Sequence, residues 1–493
     1  MSPRPDHTAT APEASEAREA TEALGVPAPP SAPAAPGTPA ASAAPSAHPR
    51  PGATLAVTSA ATAVALMTYT APMITLPDTA ASLHTPLSAQ AWLLNGTPLG
   101  LAALLLVAGS LADDYGRRRI FLAGTVALGI TTALGALAGS TWLFTLARVA
   151  QGAASAAILA ASLGLLVHAF PAGPGRIRAT GIWGAFVSGG IALGPVLAGG
   201  IATLANWRLS YVVLGAAALL VAAFAPRALT ESRAPHSGRP DLAGALALGL
   251  ALVALVAALT LGRDGWLRTP VAALLLASAV LIAAFVAVER RSASPMLDLA
   301  LLRQAPFLAS SAGGFFTGFA VIALFSYLPT FLQQTLPMSA MATAVLLMIW
   351  SGTSFAVALQ TRRLAGKVSP RHQLALGFAL HAAAVLTMLT AVDAGPWPLL
   401  LPGLVISGAG SGLLNAALPQ LAVASVPADR AAMGSGANNT ARYIGSAAGV
   451  ALMIAVSTST DSLAHGAQVA LVVSAALGAA GALSVLALRG RGR

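Results

Sequence analysis

The stretch Gly109-Ser-Leu-Ala-Asp113-Asp-Tyr-Gly116-Arg117-Arg118-Arg119 puts two glycines, two carboxylates and three arginines within eleven residues. Gly109 and Asp113 are four apart and share a helix face. Gly116 can make a tight turn. A carboxylate beside such a turn can pair with an arginine or with the positive N-terminal end of a neighbouring helix. A contact of that kind, formed in one conformation and broken in another, is a gate, so the chemistry is switching rather than bond making. A basic stop-transfer loop is the plainer alternative. The joint spacing of Gly109, Asp113, Gly116, Arg117 and Arg118 favours the gate.

Two more stretches set special residues inside apolar runs. In Arg148-Val-Ala-Gln151-Gly152 the guanidinium lies about 10 Å along a helix from its outer end, at about 1.5 Å per residue. A charge at that depth faces a bundle interior or a watery cavity. A functional Arg148 is weighed against one that is bonded to backbone carbonyls for structure, and function is favoured. The third stretch is Gly181-x8-Gly190-x3-Gly194-Pro195-Val-Leu-Ala198-Gly199. Gly190 and Gly194 form a small-xxx-small pair. Pro195 removes a backbone donor and bends the helix. The result is a kinked helix with a smooth face, and packing is itself its chemistry.

The composition says what elements hold these groups. The chain has 493 residues, 56% apolar and only 9% charged, with a mean hydropathy of +0.76. Soluble domains carry about 25% charged residues. A soluble enzyme is excluded and a polytopic membrane protein is expected, with the lipid bilayer as its surroundings. The pI near 11.3 does not point to nucleic acid. The 27 basic residues, among which Lys367 is the single lysine, lie in small groups with no basic face. Cysteine is absent, which removes disulfides, thiolate metal sites and thiol nucleophiles. No cofactor and no metal are expected.

Residues 1–50 are dominated by Ala, Pro, Ser, Thr and Glu and contain no Ile, Phe, Tyr or Trp. This composition predicts a disordered tail. It is no secretory signal, for it lacks an apolar core and carries Glu13, Glu16, Glu19 and Glu22. From Ala53 onward, apolar runs long enough to span a bilayer recur. They are fourteen, at about 53–77, 90–112, 119–139, 142–168, 177–203, 207–226, 241–261, 269–288, 306–332, 340–361, 372–392, 398–423, 433–458 and 466–488. The fold class is therefore all-α and polytopic. With the N-terminus inside, the inner loops hold Arg117–Arg119, Arg176, Arg178, Arg227, Arg233, Arg290, Arg291, Arg363, Lys367 and Arg430. The outer loops hold Arg208, Arg263 and Arg268 and little else. This asymmetry places both termini in the cytoplasm. The arginine bias fits a GC-rich bacterium, hence a bacterial cell membrane. Trp92, Trp142 and Trp207 lie near span ends and read as interface anchors.

The three motifs, in this order and on these spans, resemble the major facilitator superfamily. Fourteen spans with a Gly-Pro motif in the fifth look like its 14-span drug/proton antiporter branch. Glu289-Arg-Arg-Ser-Ala-Ser-Pro295-Met-Leu-Asp298-Leu and Asn438-Asn-Thr-Ala-Arg442-Tyr-Ile-Gly445 look like that branch too. The resemblance covers about 50–490. It implies a first six-helix half at 51–230, two linker helices within 231–295, and a second half with a short basic tail at 296–493. It implies a switching role for Asp113, proton transfer at Arg148, and an exporter signature at Gly190, Gly194, Pro195 and Gly199. The second half should repeat the first motif at Leu364-Ala-Gly366-Lys367-Val-Ser-Pro-Arg371, where the basic part survives and the acid does not.

The resemblance also implies an Asp in the first span, nine residues before a proline. Counting back from Pro77, that position is Thr68. All sixteen acids fall in the tail, at span ends or in loops. A carboxylate at mid-membrane is the usual counter-charge for a cationic drug. Its absence predicts neutral or anionic amphipathic substrates. Coupling to protons would then use Asp113, Arg148, a histidine, or Asp78 at the outer end of the first span. His381, in the eleventh span, reads better as a packing histidine bonded to a neighbouring helix. Cavity candidates are Thr68, Tyr69, Asn95, Gln151, Phe316, Tyr327, Asn415, Asn438 and Arg442, and each is as easily explained by helix packing.

The function expected is secondary efflux of drugs or secondary metabolites by alternating access, driven by the proton gradient, in a monomer. The alternative is an importer of sugars or organic anions on the same fold. A phosphate-binding loop is absent, which removes an ATP-driven pump. No H-E-x-x-H and no mid-span acid are present, which argues against an intramembrane enzyme.

Overall fold

The computed structural model describes residues 50–234, 241–262, 265–292, 297, 299–336, 338–364, 367–392, 396–458, 460 and 462–488. The expected tail, Pro295, Asp298 and Gly366 lie outside them. Among the described residues there is no strand, and 14 helices are long and apolar enough to cross a membrane.

Helix α1 comprises Pro51–Thr70 and Pro72–Ser82, broken at Ala71. Then come α2 (Leu87–Tyr115), α3 (Arg117–Ala136), α4 (Thr141–Ala169), α5 (Pro174–Leu204) and α6 (Trp207–Ala228). The inserted pair is α7 (Leu242–Gly262) and α8 (Thr269–Glu289). Helix α9 runs through Ala305–Phe316 and Ala323–Thr335, joined by a π-helical stretch, Thr317–Ile322. The last five are α10 (Ala340–Gln360), α11 (Pro370–Thr387), α12 (Leu401–Ala424), α13 (Ala431–Thr458) and α14 (Leu463–Ala487).

Local chemistry sets many helix starts. Ser140, Asn206, Ser339, Ser369 and Ser462 each accept a hydrogen bond from the backbone N–H three residues on. Such caps satisfy donors that have no partner within the helix. Prolines at positions 98, 195, 329 and 419 sit inside helices. Each leaves a carbonyl without its usual donor.

Two large apolar clusters form the core. One is built mainly from α2–α4 around Leu101, Leu105, Phe121, Leu128, Ile158 and Leu163. The other is built from α9–α14 around Phe325, Leu328, Trp350, Phe378, Leu414 and Val485. Small residues let the helices approach closely where lipid supplies no hydrophobic drive. A Cβ at Gly152 of α4 would lie 2.9 Å from the Gly100 Cα of α2. Large apolar side chains line the outside, among them Leu276, Val280, Phe224 and Leu483. Trp142 is 77% exposed and suits an interface anchor, whereas Trp207 is only 4% exposed. Its ring turns inward against Phe144 and Tyr211, at 5.6 and 5.9 Å between centroids.

Candidate functional site

The Asp113 carboxylate lies in the last turn of α2 and is fully buried. It accepts from Arg117 Nε at 2.8 Å, from the Met433 N–H at 2.8 Å and from the Ala432 N–H at 3.3 Å. The latter two belong to the first turn of α13, where unpaired N–H groups and the helix dipole favour an anion. Both partners foreseen for this carboxylate, an arginine and a helix N-terminus, are thus engaged at once. Arg117 reaches on to the carbonyls of Asp429 at 2.7 Å, Ala428 at 3.1 Å and Gly164 at 3.3 Å. Gly109 lets the chains meet: a Cβ there would lie 3.0 Å from the Met433 Cα. Gly116 makes the α2–α3 turn at φ +122°, a conformation that L side chains rarely adopt. Arg118 points elsewhere, to the Pro226 carbonyl at 3.1 Å, and its backbone N–H donates to Glu231. Beside this cluster Arg430 donates to Asp114 at 2.9 Å, a second bond between the helix groups. The helix groups α1–α6 and α9–α14 are closed against each other at this end.

Arg148 is fully buried in α4. Its guanidinium donates to the Thr68 carbonyl at 2.7 Å, the Tyr69 carbonyl at 3.0 Å and Gln151 Oε1 at 2.9 Å. The reason lies in α1. Pro72 has no N–H for the Thr68 carbonyl four residues back, and Arg148 supplies the missing donor. Arg148 is therefore bonded to backbone carbonyls, the structural arrangement, and no carboxylate is bonded to it among the described residues. Gln151 continues the chain to the Thr131 carbonyl at 3.2 Å.

The glycines of α5 pack as their spacing demands. A Cβ at Gly190 would lie 2.6 Å from the Ala63 carbonyl oxygen, and one at Gly194 would lie 2.8 Å from that of Met67. Gly199 faces Ile74 and Met341. Pro195 lines a cavity of about 70 Å³ between the two helix groups. Tyr69, Met73, Phe325, Trp350, Asn415 and Arg442 form much of its wall. Phe325 stacks on Trp350 at 4.1 Å, and Tyr69 meets Tyr443 edge-on at 6.1 Å. Arg442 is 9% exposed, and its Nε has no hydrogen-bond partner among the described residues. No acid lines this cavity among the described residues. Asn415, in its wall, also joins a bonded trio across the helix groups. Ser188 and Ser354 are 2.8 Å apart, and Asn415 Nδ2 donates to Ser188 Oγ at 2.9 Å.

Of the cavity candidates, Tyr69, Asn415 and Arg442 meet here. Asn95 and Tyr327 meet in a neighbouring cavity. Four line neither. The Thr68 hydroxyl is bonded to the Val64 carbonyl at 2.9 Å. Gln151 is held by Arg148, and Asn438 donates to the Ser310 carbonyl at 2.6 Å. Phe316 is partly buried against the second apolar cluster, beside Gly481. Asp78 is exposed on the second part of α1 and lines neither cavity. His381 is buried between Ser407 at 2.9 Å and Ser474 at 3.0 Å, the packing arrangement expected of it. Sequence reasoning missed the Asp114–Arg430 pair, the Ser188–Ser354–Asn415 trio and the Phe325–Trp350 stack. Trp350 carried a signal, since a tryptophan in mid-span is not an interface anchor.

The family model described as Major Facilitator Superfamily matches residues 58–450. The chain is 32% identical over 381 residues to the multidrug resistance protein Stp of Mycobacterium tuberculosis (strain CDC 1551 / Oshkosh), covering 77% of this chain and 71% of that protein. It is 32% identical over 414 residues to the puromycin resistance protein pur8 of Streptomyces alboniger, covering 82% and 81%. Among solved structures it resembles the human organic anion transporter MFSD10, with a TM-score of 0.64 and 16% identity over 89% of this chain and 100% of that one. The proton:xylose symporter XylE bound to 6-bromo-6-deoxy-D-glucose also has a TM-score of 0.64, with 13% identity over 88% and 94%. At such identity the structures speak for the fold alone. With fourteen helices of spanning length among the described residues and a family match over most of its length, the chain belongs to the major facilitator superfamily.

Proposed function

We propose that this protein is a secondary exporter of drugs or secondary metabolites, in the 14-span drug/proton antiporter branch. It works as a monomer by alternating access in a bacterial cell membrane, with both termini cytoplasmic. Its substrates are neutral or anionic amphipathic compounds. The observation that carries this reading is Arg442, a buried cation in the wall of a central cavity that no carboxylate lines among the described residues. An aromatic pocket with one cation and no anion favours an acceptor-bearing ligand over a lipophilic cation. The Asp113 cluster is the gate, closed here on the arginine-rich, cytoplasmic side. Gly190, Gly194, Pro195 and Gly199 give the sliding face and hinge of α5. Protons are the coupling ion, with Asp113, Arg148 and Asp78 as the groups to test. Relatives named for actinorhodin transport and for tetracenomycin C resistance and export support efflux over the importer alternative.

The test is a drug-accumulation and growth-inhibition panel in an efflux-deficient bacterial host. It pairs lipophilic cations with neutral and anionic antibiotics, with and without a protonophore. Protonophore-sensitive protection confined to neutral and anionic compounds is the expected result. Protection against dicationic dyes but not anionic drugs would overturn the charge argument.

A further inference from the structure

The inserted helix α7 lies along α2 of the first helix group and also touches α13 of the second. Away from the Arg117 end, these helices enclose with α1 and α9 a second cavity, of about 190 Å³. Asn95 and Tyr327 face it from opposite helix groups, and Val256, Leu259 and Thr260 close it from α7. Tyr69, Met73 and Ser326 line this cavity and the central one alike, so the two share a wall.

Its chemistry differs from that of the central cavity. No charged side chain lines it among the described residues. Asn95 has no hydrogen-bond partner among them, although its amide offers two donors and an acceptor. The Tyr327 hydroxyl lies 2.8 Å from Ser457 Oγ, within hydrogen-bond distance. Pro98 removes the donor for the Leu94 carbonyl, and both residues are in the wall. Without α7 these groups would look toward hydrocarbon, where an unpaired amide is strongly unfavourable.

We propose that this cavity is a second substrate subsite, with α7 as its outer wall. It takes the uncharged, hydroxyl- or carbonyl-bearing ring portion of an elongated substrate whose acceptor group lies at Arg442. The inference rests on the exporter reading, and the two fail differently. The chain has no cysteine, so single cysteines can be placed in the otherwise unchanged protein. Thr260→Cys reports the second cavity and Ser411→Cys the central one. The purified full chain in lipid nanodiscs is labelled with N-ethylmaleimide, with tetracenomycin C as the polycyclic probe and chloramphenicol as the small one.

With tetracenomycin C at about ten times its Kd, labelling at both positions should slow about tenfold. Chloramphenicol should slow labelling at Ser411→Cys alone. Protection by tetracenomycin C at Ser411→Cys but not Thr260→Cys overturns the subsite and leaves the exporter standing. Failure of Thr260→Cys to label in ligand-free protein also overturns it, because a substrate could not enter. Protection at neither position by either probe removes the exporter reading, and the subsite with it.

Discussion

The Asp113 carboxylate and the Met433 backbone N–H are 2.8 Å apart, although 320 residues separate them in the chain. That bond ties the last turn of α2 to the first turn of α13, and so one helix group to the other. Arg117, bonded to the same carboxylate, is 4% exposed. Asp113→Asn keeps the shape and removes the charge. The buried guanidinium then loses its counter-charge, which costs about 3–5 kcal/mol where no other anion takes over. The closed state should lose population. Single-cysteine labelling at Ser435, buried on α13 behind this contact, should rise in Asp113→Asn, and export should fall. Unchanged labelling would mean the contact does not hold this end shut.

The Asp114–Arg430 pair should contribute far less. Its side chains are each 15% exposed. Partly hydrated pairs are worth about 0–1 kcal/mol. A double-mutant cycle with Asp114→Asn and Arg430→Gln, read by thermal unfolding in detergent, should give a coupling within that range that weakens with salt. A coupling several times larger would place the main lock here rather than at Asp113.

Arg148 and Pro72 should be coupled through the Thr68 carbonyl. Lysine cannot span the acceptors that the planar guanidinium holds. Arg148→Lys should therefore destabilise the protein by about 1–3 kcal/mol, the cost of unsatisfied buried groups. Pro72→Ala restores an N–H to α1. Arg148→Lys should be milder in that background, as measured by melting temperature. Equal losses in both backgrounds would show that the missing donor is not the reason for Arg148.

Two neighbouring glycines of α5 make a controlled comparison. A Cβ at Gly194 would lie 2.8 Å from the Met67 carbonyl oxygen, whereas one at Gly200 would meet nothing within 4 Å. Gly194→Ala should cost about 1–3 kcal/mol through overpacking. Gly200→Ala should be neutral or stabilise by about 0.4–1 kcal/mol. Thermal stability and export of the two variants decide it, and similar behaviour would remove close packing as the reason for Gly194.

Arg442→Gln should separate substrates by charge. A charge-assisted hydrogen bond contributes about 1.5–3 kcal/mol, so anionic substrates should lose roughly tenfold or more in apparent affinity. Neutral substrates should change little. A uniform loss across both classes, measured by competition against one neutral substrate, would make Arg442 a packing residue.

Several parts of the site were legible in advance for identifiable reasons. Gly109, Asp113 and Gly116 could be read because their spacing combines a helix face, a turn and a charge at a helix end, all local properties. The glycine stripe of α5 could be read because packing against α1 needs small residues at a helical period. The cavity candidates were only partly legible. Asn415 and Asn438 are both buried amides in apolar helices, yet one lines the central cavity and the other is spent on Ser310 of α9. Thr68 satisfies its own helix through Val64. Nothing in residue type distinguishes these outcomes, because a buried polar group is satisfied by whichever backbone or side chain its rotation brings near.

Hydropathy and motif spacing by themselves determined that fourteen segments are long and apolar enough to span a bilayer, and where the special residues lie along them. They report how long a segment can remain in hydrocarbon, a property of the segment alone. Only the tertiary structure decided which helix faces meet. It joined Asp113 to α13, set Arg148 against the gap that Pro72 leaves, and divided Asn95 and Tyr327 from Arg442 between two cavities. Helix rotation and partner choice come from close packing and hydrogen-bond satisfaction between segments distant in the chain, and no local window of sequence contains them.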